Sequence, residues 1–197
     1  MVEFSDLICE TGGMKHLPKS QEMLERVLRA RVYDVAHETA LERIPRLSER
    51  IGVEVLLKRE DTQPVFSFKL RGAYNRMRSL SPAEKAAGVV CSSAGNHAQG
   101  VALSAHRLCM RAVIVMPTTT PAIKVEAVRN LGGEVVLCGD SYQEAQTEAE
   151  RLRAEEGLTF IHPYYDPDVI AGQGTIALEI CRQHDPEQID AVFVPVG

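Results

Sequence analysis

Residues 88–138 read GVVCSSAGNHAQGVALSAHRLCMRAVIVMPTTTPAIKVEAVRNLGGEVVLC, and their pattern decides the fold. Short apolar runs at Gly88–Cys91, Ala112–Met116 and Glu134–Cys138 alternate with stretches whose apolar residues recur at helical spacing. The first such stretch, His97–Leu108, puts Ala98, Val101, Ala102 and Ala105 on one face, and Pro121–Leu131 is the second. A strand that is apolar throughout is covered on both faces. Strand–helix alternation through short loops predicts an α/β fold with a parallel sheet.

The same alternation extends outward. Toward the C-terminus, Ser141 and Glu144 form a capping box that opens a helix to about Glu155. Leu158–His162 reads as a short strand, Ile170 to about Arg182 as a helix, and Ala191–Val196 (AVFVPV) as a last strand. Toward the N-terminus, Ser81-Pro82-Ala83-Glu84 is a capping box with proline at the first helical position. Lys69–Leu80 reads as a helix with Leu70, Ala73, Tyr74 and Met77 on one face, and Val53–Lys58 as a strand. Met23, Leu24, Val27 and Leu28 suggest a first helix, and residues 1 to about 20, with Gly12-Gly13 and Pro18, read as a loose leader. There is no sequence repeat, low-complexity tract or clear linker.

Composition removes several function classes. The 197 residues are 45% apolar and 25% charged, an ordinary globular balance. The net charge of −5 leaves no basic field for a phosphate backbone, so nucleic acid is not an expected partner. Runs such as Ala112–Met116 are far shorter than the roughly 20 residues that cross a bilayer. The five cysteines, at 9, 91, 109, 138 and 181, include no Cys-x-x-Cys pair and read as buried thiols of a reducing compartment. The acidic start MVEFSD lacks the basic and apolar parts of a signal peptide. The expectation is a cytoplasmic protein. No metal is expected, because the histidines at 16, 37, 97, 106, 162 and 184 form no ligand pair. There is also no Gly-x-Ser-x-Gly elbow and no Walker loop.

Two motifs could carry chemistry. Within PVFSFKLRGA (64–73), Lys69 stands at the predicted start of a helix. There the positive end of the helix dipole depresses an amine pKa and favours the neutral form that attacks carbonyls. The plainer reading is a solvated surface lysine. In SSAGNHAQG (92–100), small residues join a strand to a helix N-terminus, where free N–H groups can hold a carboxylate or phosphate. The plainer reading is an N-capped turn, with His97 packed at the helix start. Weaker signals are Gly172-Gln173-Gly174, placed at the start of the last long helix, and the charge run Lys58-Arg59-Glu60-Asp61, read as solvated. Pro117-Thr118-Thr119-Thr120-Pro121 reads as a loop with capping threonines.

Taken together, SFKLRGA, SSAGNHAQG, KRED (58–61), VMP (115–117), GGEV (132–135) and IAGQGT (170–175) resemble the tryptophan-synthase-like, fold type II pyridoxal-phosphate enzymes. Among these the chain resembles the biosynthetic threonine dehydratases, from about Val32 to Gly197. The resemblance implies that Lys69 holds pyridoxal phosphate as a Schiff base and later moves the substrate's proton. It implies that Phe68 packs beside the cofactor ring and that Asn96 bonds its phenolic oxygen. Ser93, Ala94, Gly95 and His97 would receive the substrate carboxylate, chiefly through backbone N–H groups. The implied reaction takes L-threonine to 2-oxobutanoate and ammonia, the first step of isoleucine biosynthesis, with L-serine as the alternative substrate. The full-length enzyme would be a homo-oligomer.

The resemblance also divides the chain into a leader and helix (1–31), a first part of a large domain (32–85), a small domain (86–170) and a return to the large domain (171–197). Three departures stand out. Ala94 occupies the position where racemases of the family carry a second serine, which favours dehydration. Thr39-Ala40-Leu41 replaces the usual Thr-Pro-Leu. The family's phosphate-binding glycine run follows an AVFVPV-type strand, and only its first residue, Gly197, is present. The expectation is therefore a shortened chain with an incomplete large domain and exposed apolar sheet, weak or inactive alone. A non-catalytic product is the competing reading. A nucleotide-binding domain is a more remote one, since Gly-x-Gly-x-x-G is absent.

Overall fold

In the computed structural model, which describes residues 19–194, the apolar runs of 88–138 pair side by side. Strands β3 (Val89–Ser92), β4 (Ala112–Met116), β5 (Glu134–Leu137) and β6 (Thr159–Phe160) form a parallel sheet in the order β5-β4-β3-β6. β4 pairs with β3 through Val89↔Ala112 and with β5 through Val113↔Glu134. The two inner strands are buried at every position, while β5 has exposed ends, as an edge strand must.

Alternation along the strands sorts the side chains into two layers. Val89, Cys91, Ala112, Ile114 and Met116 pack with α3 (Lys69–Arg78), α5 (Asn96–Arg107) and α6 (Ala122–Asn130). Val90, Val113 and Val115 pack on the other face with Ala145, Ala149 and Leu152 of α7 (Tyr142–Glu156). Helices on both faces explain why these strands carry no polar alternation.

The remaining elements stand around α3. Helix α1 (Ser20–Arg29) buries Val27 but leaves Leu24 and Leu28 exposed. β1 (Leu41–Arg43) and β2 (Leu56–Lys58) form an antiparallel pair. The helix between them, α2 (Pro45–Ile51), is absent from the sequence reading: it is only seven residues long and buries only Ser48, while its apolar Leu47 and Ile51 stand exposed. Its boundaries are nevertheless written locally, with Pro45 at its start and Gly52 after it at φ 75°. α4 (Pro82–Ala87) has both halves of its capping box. α7 has one half: Ser141 accepts from Glu144 N, but the Glu144 carboxylate takes the N–H of Asp140 instead.

The described cysteines are not uniformly the buried thiols expected: Cys91 is buried in the sheet core, whereas Cys109, in the turn that ends α5, and Cys181 are exposed. Two expectations about elements also change. Helix α8 (Pro167–Gln183) begins before Ile170, because Asp166 accepts from the N–H groups of Asp168 and Val169 and Pro167 occupies the first turn. Gly172 and Gly174 therefore lie inside the helix, where they clear space for packing. A Cβ on Gly172 would stand 2.6 Å from the Arg71 carbonyl oxygen and 2.7 Å from Gly72 Cα, both on α3. A Cβ on Gly174 would meet Val27 of α1 at 2.5 Å. Second, Ala191–Val194, the described part of the expected last strand, forms no strand, and Val192, Phe193 and Val194 are exposed. A β-strand needs a ladder partner, and no described strand pairs with this run. The expected leader lies outside the described residues over 1–18.

Replacing Gly172 with alanine tests the α3–α8 contact. Alanine gains about 1 kcal/mol of helix propensity. Overpacking against backbone that has no rotamer to yield costs about 1–3 kcal/mol. Because three backbone atoms lie under 3 Å from the new methyl, the overpacking dominates. Urea unfolding should show Gly172→Ala less stable, by up to about 2 kcal/mol.

Candidate active site

The turn that presents Lys69 is anchored from below. Gln63 is buried and bonds His37 through both ends of its amide, from Nε2 to His37 O at 2.8 Å and from His37 N to Oε1 at 3.2 Å. Phe66 N closes on Gln63 O at 2.7 Å, which leaves Phe66 exposed with a left-handed φ of 56°. For a bulky side chain that is a strained conformation. Val65 and Leu70 then bury against Val32 and Ala36. Lys69 is the first residue of α3 and is half-buried. Its Nζ donates to the Pro163 carbonyl at 3.0 Å and lies 5.4 Å from the centre of the Phe68 ring. Burial lowers the Lys69 pKa. The direction is the one the sequence suggests, but the cause is desolvation.

The second motif leaves β3 through Ser93, Ala94 and Gly95 and enters α5 at Asn96. Ser93 N extends the β3–β4 pairing by donating to Val115 O at 3.1 Å, and Ser93 Oγ accepts from Gly95 N at 3.3 Å. No side chain caps α5, and a Cβ on Gly95 would point into open space. The first-turn N–H groups are thus left for a ligand or water. Asn96 is exposed, whereas His97 is buried. His97 Nε2 donates to Ile161 O at 2.9 Å, so its Nδ1 is an acceptor, buried and without a partner, as is Ser92 Oγ. Burial pushes the His97 pKa down to about 4.

Glycine joins the two motifs. A Cβ on Gly100 would stand 3.1 Å from Leu70 N and 3.2 Å from Lys69 C, so the first turns of α5 lie directly on the backbone that carries the lysine. The segment after β6 bridges them, with Ile161 bonded to His97 and Pro163 to Lys69. Phe68, Lys69, Ser93, Ala94, Gly95, Asn96 and His97 thus belong to one region of the molecule. Gly197 lies outside the described residues.

One group escaped the sequence reading. KRED is not a uniformly solvated run. Arg59 and Asp61 pair at the surface, whereas Lys58 and Glu60 turn inward. The inner pair joins Arg71 and Glu179, both fully buried. Arg71 gives Nε and Nη2 to Glu60 at 2.8 Å, Nη2 to Glu179 at 3.0 Å and to His37 O at 3.1 Å, and Nη1 to Thr175 at 3.1 Å and to Glu179. Glu179 also receives Lys58 Nζ at 2.7 Å and the Tyr33 hydroxyl at 2.8 Å. Burial pushes the Glu179 carboxyl up, but bonds from Arg71, Lys58 and Tyr33 outweigh it and hold the pKa below its ordinary value. Two cations and two carboxylates make the group neutral, which is what permits its burial. The sequence signal was the alternation of KRED, but its partner Glu179 lies more than a hundred residues away.

A profile of the family "Pyridoxal-phosphate dependent enzyme" matches residues 32–197. The chain belongs to this family. It is 57% identical over 203 residues to threonine dehydratase 1 biosynthetic, chloroplastic, of Solanum lycopersicum, covering 98% of this chain and 33% of that protein. It is 53% identical over 190 residues to the biosynthetic L-threonine dehydratase of Escherichia coli K12, covering 96% of this chain and 37% of that protein. Among solved structures, the processed form of threonine deaminase isoform 2 from Solanum lycopersicum superposes with a TM-score of 0.82 at 56% identity, over 86% of this chain and 50% of that one. Maize serine racemase superposes with a TM-score of 0.80 at 32% identity, over 89% of this chain and 52% of that one. The chain therefore spans about a third of the length of the curated relatives it matches. The fold is that of the fold type II enzymes of the family.

Two measurements test the site's construction. His97 is neutral when folded and titrates near its ordinary value of about 6.5 when unfolded, while its folded pKa is about 4. The unfolded chain binds more protons between those values, so this stability is complete above the upper one and is lost as pH falls toward the lower. Denaturant titrations across that window should show a loss on the order of 3 kcal/mol, reduced in His97→Asn. Separately, Arg71→Met should destabilise the chain by about 3–5 kcal/mol in urea, because Glu60 and Glu179 keep their buried charge and lose their shared partner.

Proposed function

We propose that this chain carries the lysine and substrate-loop portion of a pyridoxal-phosphate-dependent threonine dehydratase, which converts L-threonine to 2-oxobutanoate and ammonia. The observation that supports this most is Lys69 itself. Its amine is half-buried, has its pKa lowered by burial, bonds a neutral carbonyl, and sits beside an uncapped helix N-terminus.

The residues present suit the cofactor. Lys69 would hold it through the ε-amine, Phe68 would pack at its ring, and Asn96, exposed at the head of α5, would bond the ring oxygen. Gly197 would begin the phosphate contact. When bound, pyridoxal phosphate supplies an electron sink for charge left at the substrate's Cα. The backbone N–H groups of residues 93–97 would bind the substrate carboxylate and orient the Cα–H bond toward Lys69. Lys69 Nζ would take that proton as the β-hydroxyl departs with a proton as water. Tautomerisation and hydrolysis of the resulting enamine give the keto acid and ammonia. Ala94 offers no hydroxyl on the opposite face, so proton return from that side lacks a donor, and elimination is favoured over racemisation.

The threonine dehydratase names of the relatives support threonine as substrate. L-Serine, one methyl smaller, is the second candidate. A homo-oligomer is proposed for the full-length enzyme. We also propose the cytoplasm as the compartment. The described cysteines are free thiols, and among the described residues no helix is long and apolar enough to cross a membrane. Residues 86–170 would form the smaller domain and 32–85 with 171–197 the larger.

Incubation with pyridoxal phosphate, borohydride reduction and peptide analysis should place the adduct on Lys69, and Lys69→Ala should abolish it. In a form of the enzyme that turns over L-threonine, the same substitution should lower 2-oxobutanoate release by about 10²–10⁴-fold. Adducts scattered over exposed lysines would refute the assignment.

A further inference from the structure

The segment after β6, Ile161-His162-Pro163-Tyr164-Tyr165, has no role in the reaction as proposed above. It is nonetheless fixed on both sides of the carbonyl that holds Lys69. Upstream, Ile161 O accepts from His97 Nε2 at 2.9 Å. Downstream, His162 Nδ1 accepts the N–H of Tyr164 at 3.2 Å and of Tyr165 at 2.8 Å. A side-chain acceptor that takes the N–H groups two and three residues ahead closes a turn on its own backbone. The His162 ring is also held edge-on against Tyr164, with ring centres 4.6 Å apart, and against Tyr165 at 5.7 Å. Pro163, inside that turn, has its φ set by its ring. Its carbonyl is therefore aimed by groups that are themselves held.

We propose that His162 is a positioning residue of the Lys69 site: its Nδ1 closes the 162–165 turn and so directs the Pro163 carbonyl at the lysine amine. This rests on reading Lys69 as the cofactor lysine. The chemistry of the seat fits that role. An amine that holds a cofactor, lets it go and then moves a proton must stay in place while free, although its side chain has four flexible methylenes. A carboxylate partner would hold it as a fixed ammonium ion. A neutral carbonyl accepts one N–H bond and leaves the amine able to gain or lose a proton.

The test compares two amides at position 162. In His162→Asn the Oδ1 can accept the same two N–H groups, as asparagine does in turns. In His162→Gln the amide stands one methylene too far out. With 15N-lysine-labelled chain free of cofactor, the hydrogen-exchange rate of the Lys69 ammonium protons is read in mildly acidic buffer. The signal is assigned by its loss in Lys69→Arg, with exposed Lys124 as internal reference. His162→Gln should speed Lys69 exchange roughly tenfold and leave Lys124 unchanged, while His162→Asn should return Lys69 to near the wild-type rate. Equal rates in the two variants would overturn the proposal. If His162→Gln does not fold, His162→Ser and His162→Ala make the same comparison, since a serine hydroxyl also closes such turns. The exchange is read without cofactor. A wild-type chain that fails to form the borohydride-stable adduct on Lys69 would therefore refute the cofactor reading alone, and that failure is seen separately.

Discussion

Helix α3 is held backbone to backbone by two other helices, and the position of Lys69 depends on that contact. Gly100 lets α5 lie on the Lys69–Leu70 peptide, and Gly72 and Gly172 let α8 lie on the next turn. A methyl group at any of these three points would meet backbone atoms at 2.6–3.2 Å. The consequence is that the lysine and the loop of residues 93–97, distant in sequence, are set by main-chain geometry. Main-chain contacts of this kind have no rotamers through which to drift.

The opposite side of the same turn is held electrostatically. Lys69 and Arg71 are two residues apart, so their side chains leave the helix in roughly opposite directions. One reaches Pro163, and the other enters the neutral cluster with Glu60, Glu179 and Lys58. A buried ion network of this type contributes little net stability over an apolar core, but it penalises any arrangement that leaves one member unpaired. Here it ties α3 to β2, to the segment at His37–Thr39 and to α8 at once.

The structure shows how the lysine is held. An amine beside a helix N-terminus with a carboxylate partner would be a fixed cation. This one is desolvated and rests on a carbonyl. Burial lowers the pKa of both His97 and His162, while one donates to Ile161 and the other accepts from two tyrosine N–H groups. The loop of residues 93–97 and the lysine seat thus share a framework, the strand end at residues 161–165.

The sequence by itself determined the parallel sheet, its two-faced burial and the motifs at Lys69 and at residues 92–100. These rest on local rules: periodicity, capping boxes and small residues at a strand end. It determined less wherever the partner was remote. α2 is only seven residues long and its Leu47 and Ile51 bury nothing, so its proline and glycine boundaries are its clearest local signal. Val192–Val194 has strand composition but no described strand beside it, and pairing rather than composition makes a strand. KRED read as solvated because Glu179, which draws Lys58 and Arg71 inward, comes from a helix much later in the chain. Gly172 reads as a helix start until Asp166 and Pro167 are seen to cap the helix earlier. The Pro163 carbonyl could not be read at all, since a backbone oxygen has no letter in a sequence. Only the tertiary structure decides which one an amine meets, because that contact depends on three helices and a strand end arriving together.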